Sequence, residues 1–511
     1  MVKFVGARFL IGFEDNRPVW ASHLNVVCGK VSKVEYSEKH VDLEGGLVLP
    51  GFIDTHVHVY GVGIALKRLD LRGVKSIEEL KEKLAKKVEE VRRGEWIIGR
   101  GWDQENFKEK RFPTRWDLDE VSPHNPVILY RICGHVAVVN SLALEKAGIN
   151  ENTRDPPGGV IVREHGIPNG VLLEDAINLV SKVIPSPSPK EYEEAVLNGL
   201  LSFAENGVTT VHAMSVCKEE LQALLTLWKR NKLPIRVRIY VCPTVFNSLL
   251  NTGFIGGFGD DMLKIIGVKI LLDGSFGGRT ARLREPYSDD PSTRGELLYT
   301  EEQLANILEK AYRNGFQVAA HAIGDEALEL LLTTIKKLRI PGHFVRIEHA
   351  SLTPPDLLDL MVELGVKFSV QPHFVITDWW VIDRLGVKRG RWVYAFKTLI
   401  QKGLLVTGSS DAPVEPHNPW TGVYAAVTRG EFEDLPIYKV GSAEALDLAT
   451  ALKIYTVNGG KMTEEPLGCL KEGFYADFIL LNVNPFSLET NKLKEVRVLK
   501  TFVSGKEVRR R

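Results

Sequence analysis

Short runs of β-branched and aromatic residues alternate with longer amphipathic segments through most of this chain. Eight of these runs have the length and composition of buried strands. The first follows the break at Pro50-Gly51, and the others cover residues 208–212, 235–241, 267–272, 317–321, 344–349, 367–371 and 404–408. Strand–helix alternation repeated in this way predicts an α/β fold, a parallel (β/α)8 TIM-type barrel. A doubly wound open sheet is the competing architecture.

The helices between these strands have recognisable start and stop signals. Thr300 begins one helix with a capping box that Gln303 closes, and Asn314-Gly315 ends it directly before a predicted strand. Ser188 begins another helix with the same pattern. Because these signals fall between the predicted strands, they support the alternating fold.

Two parts of the chain depart from the alternation. Both ends consist of short strand-like runs, and we expect residues 1–48 and 468–511 to form one composite β-sandwich domain, since neither end alone buries enough surface. The barrel then comprises residues 49–60 and 200–467. Residues 61–199 are far longer than an ordinary strand-to-helix connection, so they predict an inserted α+β subdomain over the barrel mouth.

Composition narrows the classes of function. The 511 residues are 44% hydrophobic, which is ample for a large core, and 65 basic side chains balance 65 acidic ones. Such a balance leaves no basic surface for nucleic acid or an anionic membrane. The five cysteines include no C-x-x-C pair, and the start of the chain does not resemble a signal peptide. We therefore expect a soluble cytoplasmic protein with reduced thiols, and a homodimer as the default assembly.

The first predicted strand carries the most informative motif, His56-Val57-His58. Successive side chains of a strand point to opposite faces, so His56 and His58 point the same way. Two imidazoles side by side at the end of a buried strand suit a metal ion. A buried, hydrogen-bonded histidine pair is the alternative interpretation.

Lys269 lies within an apolar predicted strand, where an ammonium group is costly unless its charge is lost or paired. One solution is a carbamate on Nζ, which converts the amine into a carboxylate that can bridge two cations. Nearby metal ions would favour the neutral amine that reacts with CO2. The alternative is a lysine that extends to the barrel rim beside Asp273.

Three further candidate ligands end later strands: His321, His349 and Asp411. Singly, each has an ordinary explanation, either a satisfied strand-end histidine or a turn aspartate before Ala412-Pro413. Together with the earlier candidates, they place ligand-type residues at five of the predicted strands. Coincidence is a poor explanation of that pattern, which indicates a metal-dependent hydrolase.

These motifs resemble the amidohydrolase superfamily of metal-dependent (β/α)8 hydrolases over essentially the whole chain. Residues 46–58 are similar to the family's entry into its first strand, and residues 473–478 and 503–506 to its return to a small β-sandwich. The candidates that fall where the family has its lysine, two histidines and aspartate are Lys269, His321, His349 and Asp411. The insertion and the segment 272–281 resemble the branch that contains N-substituted formamide deformylases.

The resemblance implies a centre of two divalent metal ions, with zinc as the usual metal. His56 and His58 would hold the more buried ion together with Asp411. His321 and His349 would hold the second ion.

Two further roles follow from the same resemblance. Lys269, carboxylated by CO2, would bridge the two ions together with a hydroxide. Asp411 would act as general base and then as general acid. The implied activity is hydrolysis of a non-peptide carbon–nitrogen bond in a small molecule, such as an amide or an N-formyl or N-acyl compound.

Substrate contacts are predicted in two places. The insertion contributes Trp102, Asp103 and His135, for which an ordinary turn or core role is the alternative. The loop after the fourth barrel strand contributes Asp273, Ser275 and Arg279, because that loop faces the catalytic end of a barrel.

Other reactions on the same scaffold stay open. A deaminase of this superfamily has a glutamate about three residues after the fifth-strand histidine, where this chain has Gly324. An esterase or phosphotriesterase could use the same metal pair. A non-catalytic binding or assembly barrel would have lost its ligands, and this chain keeps them.

Overall fold

The computed structural model describes residues 1–34 and 39–509, so residues 35–38, 510 and 511 of the predicted terminal segments lie outside the described residues. The central sheet has eight parallel strands, and the two-residue strand Phe258–Gly259 joins it antiparallel beside the fourth. In chain order the eight parallel strands are β1 (Phe52–Val57), β2 (Val208–Val216), β3 (Arg236–Val241), β4 (Leu263–Leu271), β5 (Gln317–Ala322), β6 (Val345–His349), β7 (Lys367–Val370) and β8 (Leu405–Gly408).

The eight strands stand side by side in chain order, and each is parallel to the next. A doubly wound sheet would reverse its strand order, so the barrel prediction is confirmed. The sheet closes just beyond the ends of β1 and β8, where Val57 forms a parallel bridge with Ala412. There the Asp411 N–H also donates to the His56 carbonyl at 2.8 Å.

Helices connect these strands, and the capping signals read from the sequence are present. The Thr300 side chain and Gln303 form a complete capping box, and Ser188 and Glu191 exchange the corresponding hydrogen bonds. The helices that precede or follow barrel strands are Val59–Lys67, Pro189–Glu205, Lys218–Lys229, Pro243–Asn251, Glu301–Arg313, Asp325–Leu338, Pro355–Leu364, Phe374–Thr377, Val381–Gly390, Phe396–Gln401, Pro419–Thr428, Pro436–Gly441, Leu448–Tyr455 and Val457–Thr463.

Strands from the two ends of the chain pair with each other. Phe478–Leu481 lies antiparallel to Leu47–Pro50 in a sheet of six strands. The other strands of that sheet are Arg8–Glu14, Arg17–Ala21, Val498–Val503 and Lys506–Glu507. A second sheet contains Val2–Val5, Leu24–Val27, Lys30–Ser32 and His40–Asp42. Both ends supply the shared core, in which the rings of Phe478 and Phe502 stack 4.4 Å apart.

Residues 64–191 form a separate compact unit. Its six-stranded sheet contains Leu69–Asp70, Ile97–Trp102, Val127–Arg131, Val136–Val139, Gly159–Glu164 and Ile167–Glu174. Its helices are Ile77–Glu90, Arg115–Asp119, Ser141–Lys146 and Ile177–Ser181. Leu84, Trp102 and Leu129 lie in its core. Across residues 1–34 and 39–509, every helix is too short or too polar to traverse a membrane.

A buried ion pair connects the barrel to the strands from the chain ends. Arg236 of β3 donates through Nε and Nη2 to both carboxylate oxygens of Asp477, at 2.7 and 3.1 Å, and neither side chain is more than 4% exposed. Removing Asp477 leaves the buried Arg236 charge with only the half-exposed Asp261, 3.1 Å from Nη1, as an acidic partner.

We expect Asp477→Ala to lower the free energy of unfolding by about 3 kcal/mol or more, measured by guanidinium denaturation. The matched control is Glu193→Ala, which removes an exposed pair with Arg230 at 2.7 Å and should cost about 1 kcal/mol or less. Equal effects of the two substitutions would contradict this account.

Candidate metal centre

His56, His58 and Asp411 meet where β1 and β8 end. The Nε2 atoms of His56 and His58 lie 3.4 and 3.2 Å from Asp411 Oδ1, and the three side chains form a group that could hold a metal ion. Ligands that hold zinc tetrahedrally at about 2.0–2.1 Å are themselves about 3.3 Å apart. The spacing of these three donor atoms therefore suits a small divalent ion.

Glu348 sets the orientation of the His56 ring from the side opposite to Asp411. Its Nδ1 lies 2.5 Å from Glu348 Oε2, so Nδ1 carries the proton and the Nε2 lone pair faces Asp411. Arg346 holds the other oxygen of Glu348, with Nε 2.5 Å from Oε1. Burial keeps the pKa of His56 well below its usual value, which leaves the ring neutral and able to bind a metal.

His349 and His321 lie at the ends of the neighbouring strands β6 and β5, with ring centroids 4.5 Å apart. His349 Nδ1 donates to Gln371 Oε1 at 2.6 Å, so its Nε2 is free to bind. His321 Nε2 donates to the Gly274 carbonyl at 2.8 Å, so its lone pair is on Nδ1. Burial lowers the pKa of both rings well below the usual value. Each of the two histidines is thus neutral and has one ring nitrogen free to bind a metal ion.

The backbone at His349 is unusual. Its φ is +72°, a left-handed conformation that non-glycine residues rarely adopt. Asp411, with φ +57°, shares this conformation. Such strain persists only where surrounding structure imposes it, and it is concentrated at functional sites.

Lys269 projects from β4 among these side chains and is only 3% exposed. Burial lowers its pKa to about 8, although the nearby carboxylates of Glu348 and Asp411 act in the opposite direction. Among the residues that the structure describes, none accepts a hydrogen bond from its Nζ. A buried amine in this state is neutral more often near neutral pH than an ordinary lysine, and its Nζ lacks a hydrogen-bond acceptor. Both properties fit a group that becomes modified or binds a metal.

Asp273, Ser275 and Arg279 lie in the loop after β4. Asp273 is fully buried and accepts hydrogen bonds from the backbone N–H groups of Ile323 and Gly324, at 3.1 and 2.8 Å. Its Oδ1 is also 3.4 Å from His321 Nε2. Ser275 Oγ accepts from Gly278 N–H at 3.2 Å.

The three predicted contacts at this loop differ in what they already bind. Arg279 pairs with Asp289 at 2.9 Å and is one-third exposed. Asp273 therefore supports the loop beside His321, whereas Arg279 retains an exposed edge. Direct substrate contact by Asp273, Ser275 and Arg279 stays a prediction.

Trp102, Asp103 and His135 lie within the unit of residues 64–191. Trp102 is completely buried and donates from Nε1 to the Leu129 carbonyl at 2.8 Å. Asp103 pairs with Arg131 at 2.7 Å, and the exposed His135 lies 2.8 Å from Glu174. Each thus has a partner inside its own unit, and a role in substrate binding stays a prediction for all three.

Sequence reasoning missed the residues that orient the histidines, namely Glu348, Arg346 and Gln371. One signal was available. Arg346 and Glu348 alternate within the apolar strand β6, which places both charges on one buried face. Charged side chains inside a barrel need polar partners. For Glu348 one such partner is His56.

Gln371→Leu should weaken metal binding about 10- to 100-fold, because removing an outer partner of a ligating histidine typically has this effect. Metal affinity can be measured by competition with a chromogenic chelator. Gln401→Leu changes an exposed glutamine and should leave affinity unchanged. Wild-type affinity in Gln371→Leu would show that His349 does not bind the metal.

The donor set fits divalent metal ions. Imidazole nitrogens and carboxylate oxygens surround the centre, and zinc prefers such N and O ligands in catalytic sites. Lys269 lies close enough to His56, His321 and His349 to contribute, after burial, to the lowered pKa of each ring. No thiol is part of the group of metal-ligating side chains found among the described residues. These residues therefore suit a metal site with histidine and carboxylate ligands rather than a structural zinc site made of cysteines.

Comparison with known proteins agrees with this geometry. The profile described as "Amidohydrolase family" matches residues 39–509. YtcJ of Bacillus subtilis (strain 168), named as an amidohydrolase, is 34% identical over 92% of this chain and 90% of its own length. The N-substituted formamide deformylase of Arthrobacter pascens is 25% identical over 91% of this chain and 89% of its own.

A solved structure is similar over nearly the full length. The crystal structure of an uncharacterized metal-dependent hydrolase from Pyrococcus horikoshii OT3 superposes with a TM-score of 0.81 at 36% identity. The match covers 96% of this chain and 99% of the other. The similarity therefore extends well beyond the barrel.

Proposed function

This chain belongs to the amidohydrolase family, and we propose that it hydrolyses a non-peptide carbon–nitrogen bond in an amide or an N-formyl or N-acyl compound, using two divalent metal ions. The observation that carries the proposal is the convergence of His56, His58 and Asp411 at 3.2–3.4 Å. The neighbouring pair of neutral histidines, His321 and His349, supports a second ion.

The residues divide between the two ions as follows. His56 Nε2, His58 Nε2 and an oxygen of Asp411 would hold one ion. His321 Nδ1 and His349 Nε2 would hold the other. When bound, the ions would supply an activated water for the attack and would polarise the scissile carbonyl.

Lys269 would join the two halves of the centre. A carbamate on its Nζ would offer two oxygens as ligands to the metal ions. The lowered pKa of the amine, caused by burial, favours reaction with CO2. We expect zinc, because the donors are nitrogen and oxygen.

Asp411 is suited to move protons. Burial would raise the pKa of its carboxyl, but the neighbouring His56, a hydrogen bond from His58 and the nearby Lys269 lower it overall. The ionised carboxylate can take a proton from the attacking water and deliver it to the leaving nitrogen. The leaving amine takes that proton as it departs. This protonation is required because a deprotonated amine is a poor leaving group.

The N-formyl class is favoured over deamination for a structural reason. The deaminase glutamate has no counterpart at Gly324, and the next candidate, Glu326, is held by Arg282 through bonds of 2.9 and 3.0 Å. The similarity to an N-substituted formamide deformylase points to the same class of substrate. Ester and phosphotriester hydrolysis use the same metal chemistry and belong in the substrate panel.

The deciding experiment is elemental analysis of protein purified without chelator, followed by a panel of amides, N-formyl amines, esters and phosphotriesters. About two equivalents of metal per chain, and turnover of an amide or N-formyl compound, are expected. Chelation should abolish the turnover, and zinc should restore it. One equivalent would indicate a single-metal mechanism, and none after incubation with metal and bicarbonate would overturn the proposal.

A further inference from the structure

Two cysteines meet at the ends of neighbouring barrel strands, apart from the candidate metal centre. Cys217 follows β2 and Cys242 follows β3. The residues before them, Val216 and Val241, are register partners, and the Cys242 N–H donates to the Val216 carbonyl at 3.0 Å. Side chains at matching positions of parallel strands point to the same side. The two thiols therefore lie next to each other.

The spacing of this pair suits a disulfide. Neighbouring strands lie about 4.8 Å apart, and disulfides form across Cα distances of about 4.4–6.8 Å. The two thiols are close enough for each to shift the pKa of the other. The backbone spacing at this point is therefore within the range that a disulfide spans.

The two sulfurs differ in reactivity. Cys242 lies directly before the helix Pro243–Asn251 and is nearly buried. Burial opposes ionisation of its thiol, but hydrogen bonds from Cys217, Thr244 and the backbone of Val245 outweigh burial and lower its pKa. One of these partners, Thr244 Oγ1, is 3.1 Å from the sulfur. Cys242 is thus the better nucleophile.

Cys217 has the complementary properties. It is exposed, and its pKa is raised by partial burial of the thiol and by its hydrogen bond to Cys242. A protonated, accessible thiol beside a more acidic thiol is the arrangement of a resolving cysteine.

We propose that Cys217 and Cys242 form a reversible thiol–disulfide site, which hydrogen peroxide or another small peroxide oxidises and a dithiol reduces. The site is independent of the metal chemistry, because neither sulfur belongs to the ligand set.

The reaction balances with one peroxide. The Cys242 sulfur attacks one peroxide oxygen, the O–O bond breaks, and the other oxygen leaves as water after taking a proton. The Cys217 sulfur then attacks the resulting sulfenic acid, the S–O bond breaks and a second water leaves. The two thiols lose two electrons in total, which reduce the peroxide. A dithiol restores both thiols by two exchange steps.

The test uses the full-length, metal-loaded protein titrated with hydrogen peroxide, followed by non-reducing peptide mapping. The expected product is one intramolecular disulfide between the peptides that contain Cys217 and Cys242, and dithiothreitol should remove it. If peroxide oxidises the exposed Cys28 while Cys217 and Cys242 stay unlinked, the proposal is overturned.

Variants separate the roles of the two sulfurs. Cys242→Ser should slow peroxide consumption about tenfold or more, because the activated thiolate is lost. Cys217→Ser should keep the fast first step but stop at a sulfenic acid that dimedone traps. Cys28→Ser is the matched control and should behave as wild type.

A Cys242→Ser protein that reacts with peroxide as fast as wild type would contradict the role of Cys242 as the nucleophile. If a variant fails to fold, the peptide map of the wild-type protein remains decisive.

Discussion

Lys269→Ala is expected to lose bound metal and essentially all hydrolytic activity. Lys269 is buried near both groups of histidines. It is the residue of this centre that could supply a bridging carboxylate as a carbamate. Without that bridge, two cations held only by neutral imidazoles and Asp411 repel each other with little compensation. Metal content should therefore fall from about two equivalents to one or fewer, as elemental analysis would measure.

Chemical rescue distinguishes a lost bridge from a damaged barrel. A short carboxylic acid added in solution can occupy the space that the lysine side chain leaves, and it should restore part of the metal content and activity. Lys264→Ala is the matched control on the same strand, since Lys264 pairs with Glu465 at 2.7 Å. Unchanged metal content in Lys269→Ala would rule out the bridge.

Asp411→Asn is expected to lower kcat by about 100- to 10,000-fold, the usual contribution of a general acid–base group, with a much smaller change in KM. An amide keeps one oxygen for the metal but cannot take up the proton. Steady-state kinetics on the best substrate of the panel would measure both constants.

Two checks make the Asp411 result interpretable. Metal content of Asp411→Asn should stay near wild type, which separates proton transfer from loss of the ion. Asp359→Asn alters an exposed carboxylate and should leave both constants unchanged. A defect confined to KM would show that Asp411 does not move protons.

Much of the fold could be predicted from local pattern. Apolar runs predicted all eight barrel strands, and the capping boxes at Ser188 and Thr300 are present as predicted. Boundaries were less accurate. β2 continues to Val216 rather than ending at residue 212, past an irregularity where Ser215 adopts φ +54°. A local pattern does not show such a bulge, because its cause is the register with the neighbouring strands.

The candidate site was partly visible in the sequence. His56 and His58 share a face because strand side chains alternate, and Asp411 follows a predicted strand, so their convergence at one end of a barrel was expected. The partners Glu348 and Gln371 were missed. Each contacts a histidine on another strand, and the choice of partner depends on how strands line up around the barrel.

The sequence alone determined the types and order of the elements and the residue types available for chemistry, because both depend on neighbours within a few positions along the chain. Only the tertiary structure decided which nitrogen of each histidine is free, how far Asp411 lies from His56 and His58, and that Cys217 lies beside Cys242. Those features depend on register and barrel closure, which bring together residues far apart along the chain.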